Sequence, residues 1–149
     1  MIREWTIGVP IVQWLTANRD LHYRRRSEVV ASIRAGVVGA CTRGDLPKGV
    51  TPVRLSAVAQ YVSPRAPVRD RLNLAPTIKA CVDGLTPQVV KVRKGKQVIS
   101  LGYGLLPDDS DRHVLDTTWT LQRFDPDGPF HYGLPGWAGL VVLTITEVA

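Results

Sequence analysis

The chain has 149 residues, of which 44% are hydrophobic and 21% are charged, as expected for one globular domain over residues 1–149. Its formal net charge is +6, a moderate basic excess that by itself is compatible with many functions. The longest apolar run, residues 139–143, is far too short to span a membrane, and the N-terminus lacks the apolar core of a signal peptide. We therefore expect a cytoplasmic protein without a membrane partner.

The first half of the chain predicts a strand, a helix and a second strand. Residues 4–10 alternate polar and apolar side chains, which is typical of a half-buried strand. Residues 23–38 predict a helix, because valine and isoleucine side chains recur at helical spacing and leave most arginines off that stripe. Residues 53–62 alternate partially and predict the second strand.

The second half begins with a shorter helix and a hairpin. Pro76 suits the first turn of a helix that runs to about residue 82, and Gly84 is predicted to end that helix. Lys79 and Asp83 are four residues apart, so they share one face of it. Residues 89–100 predict a β-hairpin that turns at residues 94–95.

Two further strands complete the predicted fold. They cover residues 113–124 and 140–147, and a loop rich in Pro and Gly separates them. Cys41 and Cys81 have no Cys or His at ligand spacing, so we interpret both as small buried apolar residues. Two main helices against several strands of uneven spacing predict an α+β fold, a two-layer single domain with a mixed β-sheet.

The basic residues are clustered, which is the electrostatic pattern expected of a protein that contacts phosphate groups. The alternative is a set of solvated faces with no ligand. Trp14 and Tyr23 border the first cluster and are candidates for stacking against bases. The clustered cations, which we predict to contact DNA, are Arg24, Arg25, Arg26, Arg65, Arg69, Arg71, Lys91, Arg93, Lys94 and Lys96.

Two acidic loops offer ligands for a divalent cation. Asp70 precedes the shorter helix, and Asp108 and Asp109 occupy a later loop. Mg²⁺ is usually held by one or two carboxylates together with water and substrate phosphate, so one Asp from each loop would be a minimal site. Lys79, on the helix between the loops, could face a scissile phosphate. The alternatives are a helix cap at Asp70 and ordinary turn chemistry at the Asp pair.

Several stretches together resemble the RusA family of Holliday junction resolvases, especially the phage and prophage members. They follow the order of the family motifs over nearly the whole chain. The stretches are residues 15–23 for the N-terminal Asn-containing motif, Arg69-Asp70-x-x-Asn73-Leu74 for the acidic motif, Lys79-Ala80-x-x-Asp83-Gly84-Leu85 for its helix, Leu106-Pro107-Asp108-Asp109 for the second acidic motif, and residues 143–147 for the usual ending.

This resemblance implies a homodimer that binds four-way DNA junctions in recombination and repair and cuts two strands symmetrically with Mg²⁺ or Mn²⁺. It implies a bacterial or phage-infected host cell. Asp70 and Asp109 would be the metal ligands, with Asp108 as the alternative for the second position. Asn73 would orient water or a ligand, and Lys79 would stabilise developing negative charge. Asn18 and Arg19, in the N-terminal motif, would contact DNA.

The chain departs from the family pattern at position 72. The acidic motif is usually Asp-x-Asp-Asn, and Leu72 stands where the second Asp would be. The departure leaves two interpretations within the resemblance: a subfamily that cleaves without this ligand, and a branched-DNA-binding protein that cleaves weakly or not at all. A third hypothesis, from a different class, is a basic phage protein that binds a protein partner.

Overall fold

A computed structural model of the chain describes residues 2–17, 21–62, 70–130 and 136–148. The helices are α1 (Tyr23–Arg43) and α2 (Ala75–Leu85), and a 3₁₀ turn (Arg71–Leu74) directly precedes α2. The strands are β1 (Glu4–Ile11), β2 (Val53–Tyr61), β3 (Pro87–Arg93), β4 (Lys96–Tyr103), β5 (Val114–Arg123) and β6 (Gly139–Glu147). The predicted α+β class, with a mixed sheet and two main helices, is confirmed.

The main sheet has four strands in the order β1-β6-β2-β5. β6 lies in the centre and pairs antiparallel with both β1 and β2, while β5 pairs parallel with β2. A parallel pair cannot be closed by a tight turn and needs a long crossover. Here the crossover spans residues 62–113 and carries the 3₁₀ turn, α2 and the β3–β4 hairpin.

One hydrophobic core joins the two helices to one side of the sheet. Alternate residues of the strands are buried, as the period of two requires. α1 contributes one stripe at helical spacing, and α2 is buried along most of its length. The buried hydrophobic residues of the sheet are Ile7, Val9, Ile11, Val53, Leu55, Ala57, Ala59, Val114, Leu140, Val141, Leu143 and Ile145, and those of α1 are Val29, Ile33, Val37, Ala40 and Cys41.

α1 begins at the predicted residue but runs five residues beyond the predicted end. Ala40 and Cys41 continue its buried stripe, and the helix ends at Arg43 with Gly44 as its C-cap, whose N–H donates to the carbonyl of Ala40 at 3.0 Å. Both Cys41 and Cys81 are buried free thiols, as predicted, and burial raises the pKa of each to about 12. Neither thiol is therefore a reactive nucleophile at neutral pH.

The prediction that Gly84 ends α2 is wrong. The helix continues to Leu85, and Gly84 lies inside it at the contact with α1. A Cβ on residue 84 would come within 2.8 Å of the Cβ of Val37, so this glycine lets the two helix backbones approach closely. Helix-stop glycines and packing glycines are identical in sequence, and only the position of α1 distinguishes them.

The β3–β4 hairpin forms a separate two-stranded arm, here called the arm, and turns at Lys94 and Gly95 as predicted. Both turn residues have positive φ, 50° and 74°, which is the backbone geometry of the two-residue hairpin loop. Nearly every arm side chain is exposed. Among the described residues, no helix is both long enough and apolar enough to cross a membrane.

The α1–α2 contact can be tested with a matched pair of glycine substitutions. Gly84→Ala should lower the free energy of unfolding by about 1–3 kcal/mol, because the new methyl group overpacks the contact with Val37. Gly39→Ala, on α1, is the control, since its Cβ would meet only the flexible end of Arg43 and helix propensity should add up to about 1 kcal/mol. Urea denaturation followed by circular dichroism measures both; equal values would contradict this packing.

Candidate active site

Asp70 is the N-cap of the 3₁₀ turn, one of the two roles that the sequence left open. Its Oδ1 accepts a hydrogen bond from the N–H of Leu72 at 3.0 Å, and its carbonyl accepts from the N–H of Asn73 at 3.0 Å. Asn73 therefore lies inside this turn, and the N-cap of α2 is Leu74. Capping uses one carboxylate oxygen, and a carboxylate can accept further partners at the other.

The turn that carries Asp70 is fixed to its surroundings from two sides. The indole Nε1 of Trp119, on β5, donates to the carbonyl of Arg71 at 2.6 Å, and the guanidinium of Arg71 lies 5.9 Å from the centre of the Trp119 ring. The N–H of Ala17 donates to the carbonyl of Asn73 at 2.9 Å. Asp70 thus stands on a turn whose position depends on β5 and on the segment after β1.

Lys79 joins the two parts of the chain that the sequence singled out. Its Nζ donates to the carboxylate of Asp83, one helical turn on, at 2.7 Å, and also to Oδ2 of Asp109, thirty residues away. The first contact confirms the predicted shared face of α2. The second brings the helix and the second acidic loop together, which the sequence alone does not determine.

The charges of this group reinforce one another. The hydrogen bond from Lys79 holds the pKa of the Asp109 carboxyl below its ordinary value, against a smaller opposing effect of burial. Partial burial acts to lower the pKa of Lys79, but its hydrogen bonds to Asp109 and Asp83 together outweigh burial and raise it. Lys79 is therefore a cation and Asp109 an anion at neutral pH.

Asp108 and Asp109 have different partners although they are adjacent. Oδ1 of Asp108 accepts from the N–H of Ser110 at 2.8 Å, and its Oδ2 lies 3.4 Å from Nε2 of His113. Hydrogen bonds from Ser110 lower the pKa of Asp108, and the charge of His113 adds to this effect. The other ring nitrogen, Nδ1 of His113, is 2.7 Å from the hydroxyl of Thr51. Asp108 therefore takes part in loop structure, whereas Asp109 faces Lys79.

Lys79 and Asp109 line a cleft of about 340 Å³ between α2 and β5. Asp111 and Asp116 line the same cleft, and so does Trp119. Asp111 and Asp116 were not predicted from the sequence, because Asp111 follows the Asp108–Asp109 pair outside the motif and Asp116 is an isolated carboxylate on β5. The cleft combines one ammonium group with three carboxylates over an apolar floor.

The predicted ligands are carboxylates, which suit a divalent cation, but they do not form a preassembled metal site. Within the described ranges, no three His, Cys, Asp or Glu side chains form a metal-binding group. Mg²⁺ needs only one or two carboxylates besides water and phosphate, so Asp70 and Asp109 remain suitable donors. A cation at Asp109 would compete with Lys79 for the carboxylate.

The basic residues near the start of α1 are exposed but not equally available. Arg25 donates to Oε1 of Gln13 at 2.9 Å and pairs with Glu28 at 3.3 Å, so it has intramolecular partners. Arg24 lies against the ring of Tyr23, which is exposed as a stacking residue must be. Trp14 is only 5% exposed, so its proposed stacking role is wrong. Asn18, Arg19, Arg65 and Arg69 lie outside the described residues.

No protein-family model matches the chain, and no curated protein matches its sequence. The resemblance to the RusA family therefore rests on the motifs alone and stays an expectation.

Lys79→Met tests the central contact of the cleft. The pKa of Asp109 should rise toward the ordinary value of an aspartate, because the carboxylate loses a donor and a positive charge. A ¹³C NMR titration of the Asp carboxyl groups measures this, and Lys79→Arg should keep the pKa low. An Asp109 that titrates alike in wild type and Lys79→Met would contradict the contact.

Lys79→Met should also change how the free energy of unfolding depends on pH. The folded pKa of Asp109 lies below the unfolded value, so its interaction with Lys79 stabilises the fold fully above the unfolded pKa and is lost as the pH falls through the folded pKa. Because both side chains are well exposed, solvent screening should keep the difference between wild type and Lys79→Met below about 1 kcal/mol at neutral pH. The difference should disappear in acid.

Proposed function

We propose that the chain is a metal-dependent endonuclease that resolves four-way DNA junctions by paired phosphodiester hydrolysis. The observation that carries the proposal is the contact of Lys79 with Asp109. Two motifs that resemble the family's helix and its second acidic motif meet at one cleft, where a nuclease of this kind needs them. The basic net charge of the chain, +6, is the second support, since junction DNA is a dense polyanion.

Asp70 and Asp109 would hold Mg²⁺ or Mn²⁺, with Asp108 as the alternative second ligand. When bound, the cation would supply Lewis acidity and lower the pKa of a bound water. Lys79 provides a fixed positive charge next to Asp109, and this charge can neutralise negative charge that develops on the scissile phosphate. Asn73 would orient water or a ligand from the turn that Asp70 caps.

The proposal includes a twofold symmetric dimer on the junction. A four-way junction offers two equivalent scissile positions, whereas one chain presents one candidate cleft. A dimer with one self-complementary interface supplies a matching pair of clefts.

The second candidate is a branched-DNA-binding protein with weak or no cleavage, and two observations favour it. Leu72 occupies the position of the family's second acidic residue, and its side chain is 58% exposed, so no carboxylate stands there to reach a metal. Asp109 is already engaged by Lys79. If cation binding cannot displace Lys79, the cleft would bind DNA without activating water.

Carboxamide substitutions distinguish the two candidates. Asp70→Asn and Asp109→Asn should each reduce Mg²⁺-dependent nicking of a synthetic four-way junction by at least about 100-fold, with binding unchanged or tighter, because each loses a metal ligand and a negative charge. Asp127→Asn, in an exposed loop, is the control and should cut at the wild-type rate. A wild-type protein that binds the junction but never cuts it would support the binding-only candidate.

Leu72→Asp tests whether the missing carboxylate limits metal binding. The side chain of residue 72 is exposed, and Asp70 caps the turn by accepting from the backbone N–H of residue 72, so the change should leave the turn intact. The Mg²⁺ concentration at which nicking reaches half its maximal rate should fall. The decrease should be about tenfold if the added carboxylate contributes about 1.4 kcal/mol to the free energy of metal binding. Leu72→Asn is the uncharged control. Identical Mg²⁺ dependence in all three proteins would mean that position 72 does not contribute to metal binding.

A further inference from the structure

A second groove lies between α1 and the arm, and it shares no lining residue with the α2–β5 cleft. Its volume is about 640 Å³. Four cations line it, Arg26 and Arg34 from α1 and Lys91 and Arg93 from β3. Among the described residues that line the groove, Glu28 is the one acid, and its carboxylate already pairs with Arg25 at 3.3 Å. The groove is therefore strongly positive.

Secondary structure holds the four cations in place. Arg26, Val30 and Arg34 follow one another at four-residue spacing, so they lie along one face of α1. Lys91 and Arg93 alternate on β3 and therefore share one face of the arm, on which Lys91 lies opposite Val98. The root of the arm is tied to α1 by a hydrogen bond of 2.6 Å from Nε of Arg34 to the carbonyl of Leu101. Helix and arm thus present like charges to each other across the groove.

The floor of the groove is apolar, which a solvated basic face does not require. Val30 from α1 and Val98, on the same face of the arm as Lys91 and Arg93, line it, and Val98 is 46% exposed. β-Branched side chains left open to water inside a ring of cations indicate a ligand that has both anionic and flat apolar parts. Phosphates joined to unstacked bases have this composition.

A single strand of DNA fits these features better than a duplex. In a duplex the faces of the bases are stacked on one another, and only their edges reach the grooves. An unpaired strand exposes both its phosphates and its base faces, and proteins bind it in positive grooves with apolar contacts to the bases. The groove has the size of a small-ligand pocket, roughly 300–1,000 Å³, which suits a few nucleotides.

We propose that the groove between α1 and the arm binds single-stranded DNA, with Arg26, Arg34, Lys91 and Arg93 on phosphates and Val98 against bases. This extends the DNA-binding part of the proposed function and does not depend on cleavage. At a branch point, the groove would hold a strand that has left its duplex. Arg34 has a double role, because it contacts the strand and also positions the arm.

Fluorescence anisotropy of the full chain in EDTA tests the proposal, with a labelled oligothymidine of about 12 nucleotides and a duplex of equal length. Lys91→Ala/Arg93→Ala should weaken binding of the single strand at least tenfold. The slope of log K against log salt should fall in magnitude by about 1.4, or about 0.7 for each phosphate that the variant no longer neutralises. Arg54→Ala/Arg123→Ala removes two exposed cations outside this groove and is the matched control for net charge.

Val98→Asn separates contact with bases from simple charge attraction. It should weaken single-strand binding about three- to tenfold without changing the salt slope, since it removes apolar contact and no charge. Its effect on the duplex should be negligible, and circular dichroism verifies the fold. The proposal is overturned if Val98→Asn leaves single-strand affinity unchanged. It is also overturned if Lys91→Ala/Arg93→Ala weakens binding of the single strand and of the duplex equally. Because EDTA excludes cleavage, a failed nicking assay does not alter this result.

Discussion

The parallel pairing of β2 with β5 is the constraint on which the rest of this structure depends. Adjacent parallel strands cannot be joined by a tight turn. After β2 the chain must therefore leave the sheet and return to the end of the sheet at which β2 began. The crossover that results, residues 62–113, carries Asp70, Lys79, the arm and Asp109. The return into β5 places the second acidic loop beside α2, which is why Lys79 and Asp109 meet although thirty residues separate them.

Close helix packing fixes the position of this crossover. Gly84 lets α2 approach α1 at Val37, and the bond from Arg34 to Leu101 ties the arm to the same helix. α1 therefore supports both candidate sites: it sets the depth of α2 at the cleft and forms one wall of the basic groove. A displacement of α1 would alter the cleft and the groove together.

The two sites have opposite electrostatic character. In the cleft, Lys79 pairs with Asp109 and Asp83, so a metal cation must compete with Lys79 for the carboxylate of Asp109. In the groove, the four cations of the described lining face one acid that has another partner, and their charge is available to an external anion. Strong anion binding is therefore expected at the groove, whereas the cleft presents charges of both signs.

Local sequence patterns were sufficient to predict most helices and strands and one contact at the candidate site. Apolar periodicity determined α1, the hairpin followed from Lys94 and Gly95, and the pairing of Lys79 with Asp83 followed from their spacing on α2. Where a residue type has two uses, the sequence was ambiguous. Gly84 was predicted to stop a helix and instead serves as a packing site, and Asp70, for which a metal-ligand role and a cap role were both open, caps the 3₁₀ turn.

By itself the sequence determined the α+β composition, the clustering of basic residues and the identity of the acidic loops, because these depend on neighbours along the chain. Only the tertiary structure decided that Asp109 and not Asp108 faces Lys79, that Asp111 and Asp116 share that cleft, and that Arg34 lines a groove with Lys91 and Arg93. These relations join segments far apart in sequence. They are set by strand order and helix packing, which no local pattern of side chains specifies.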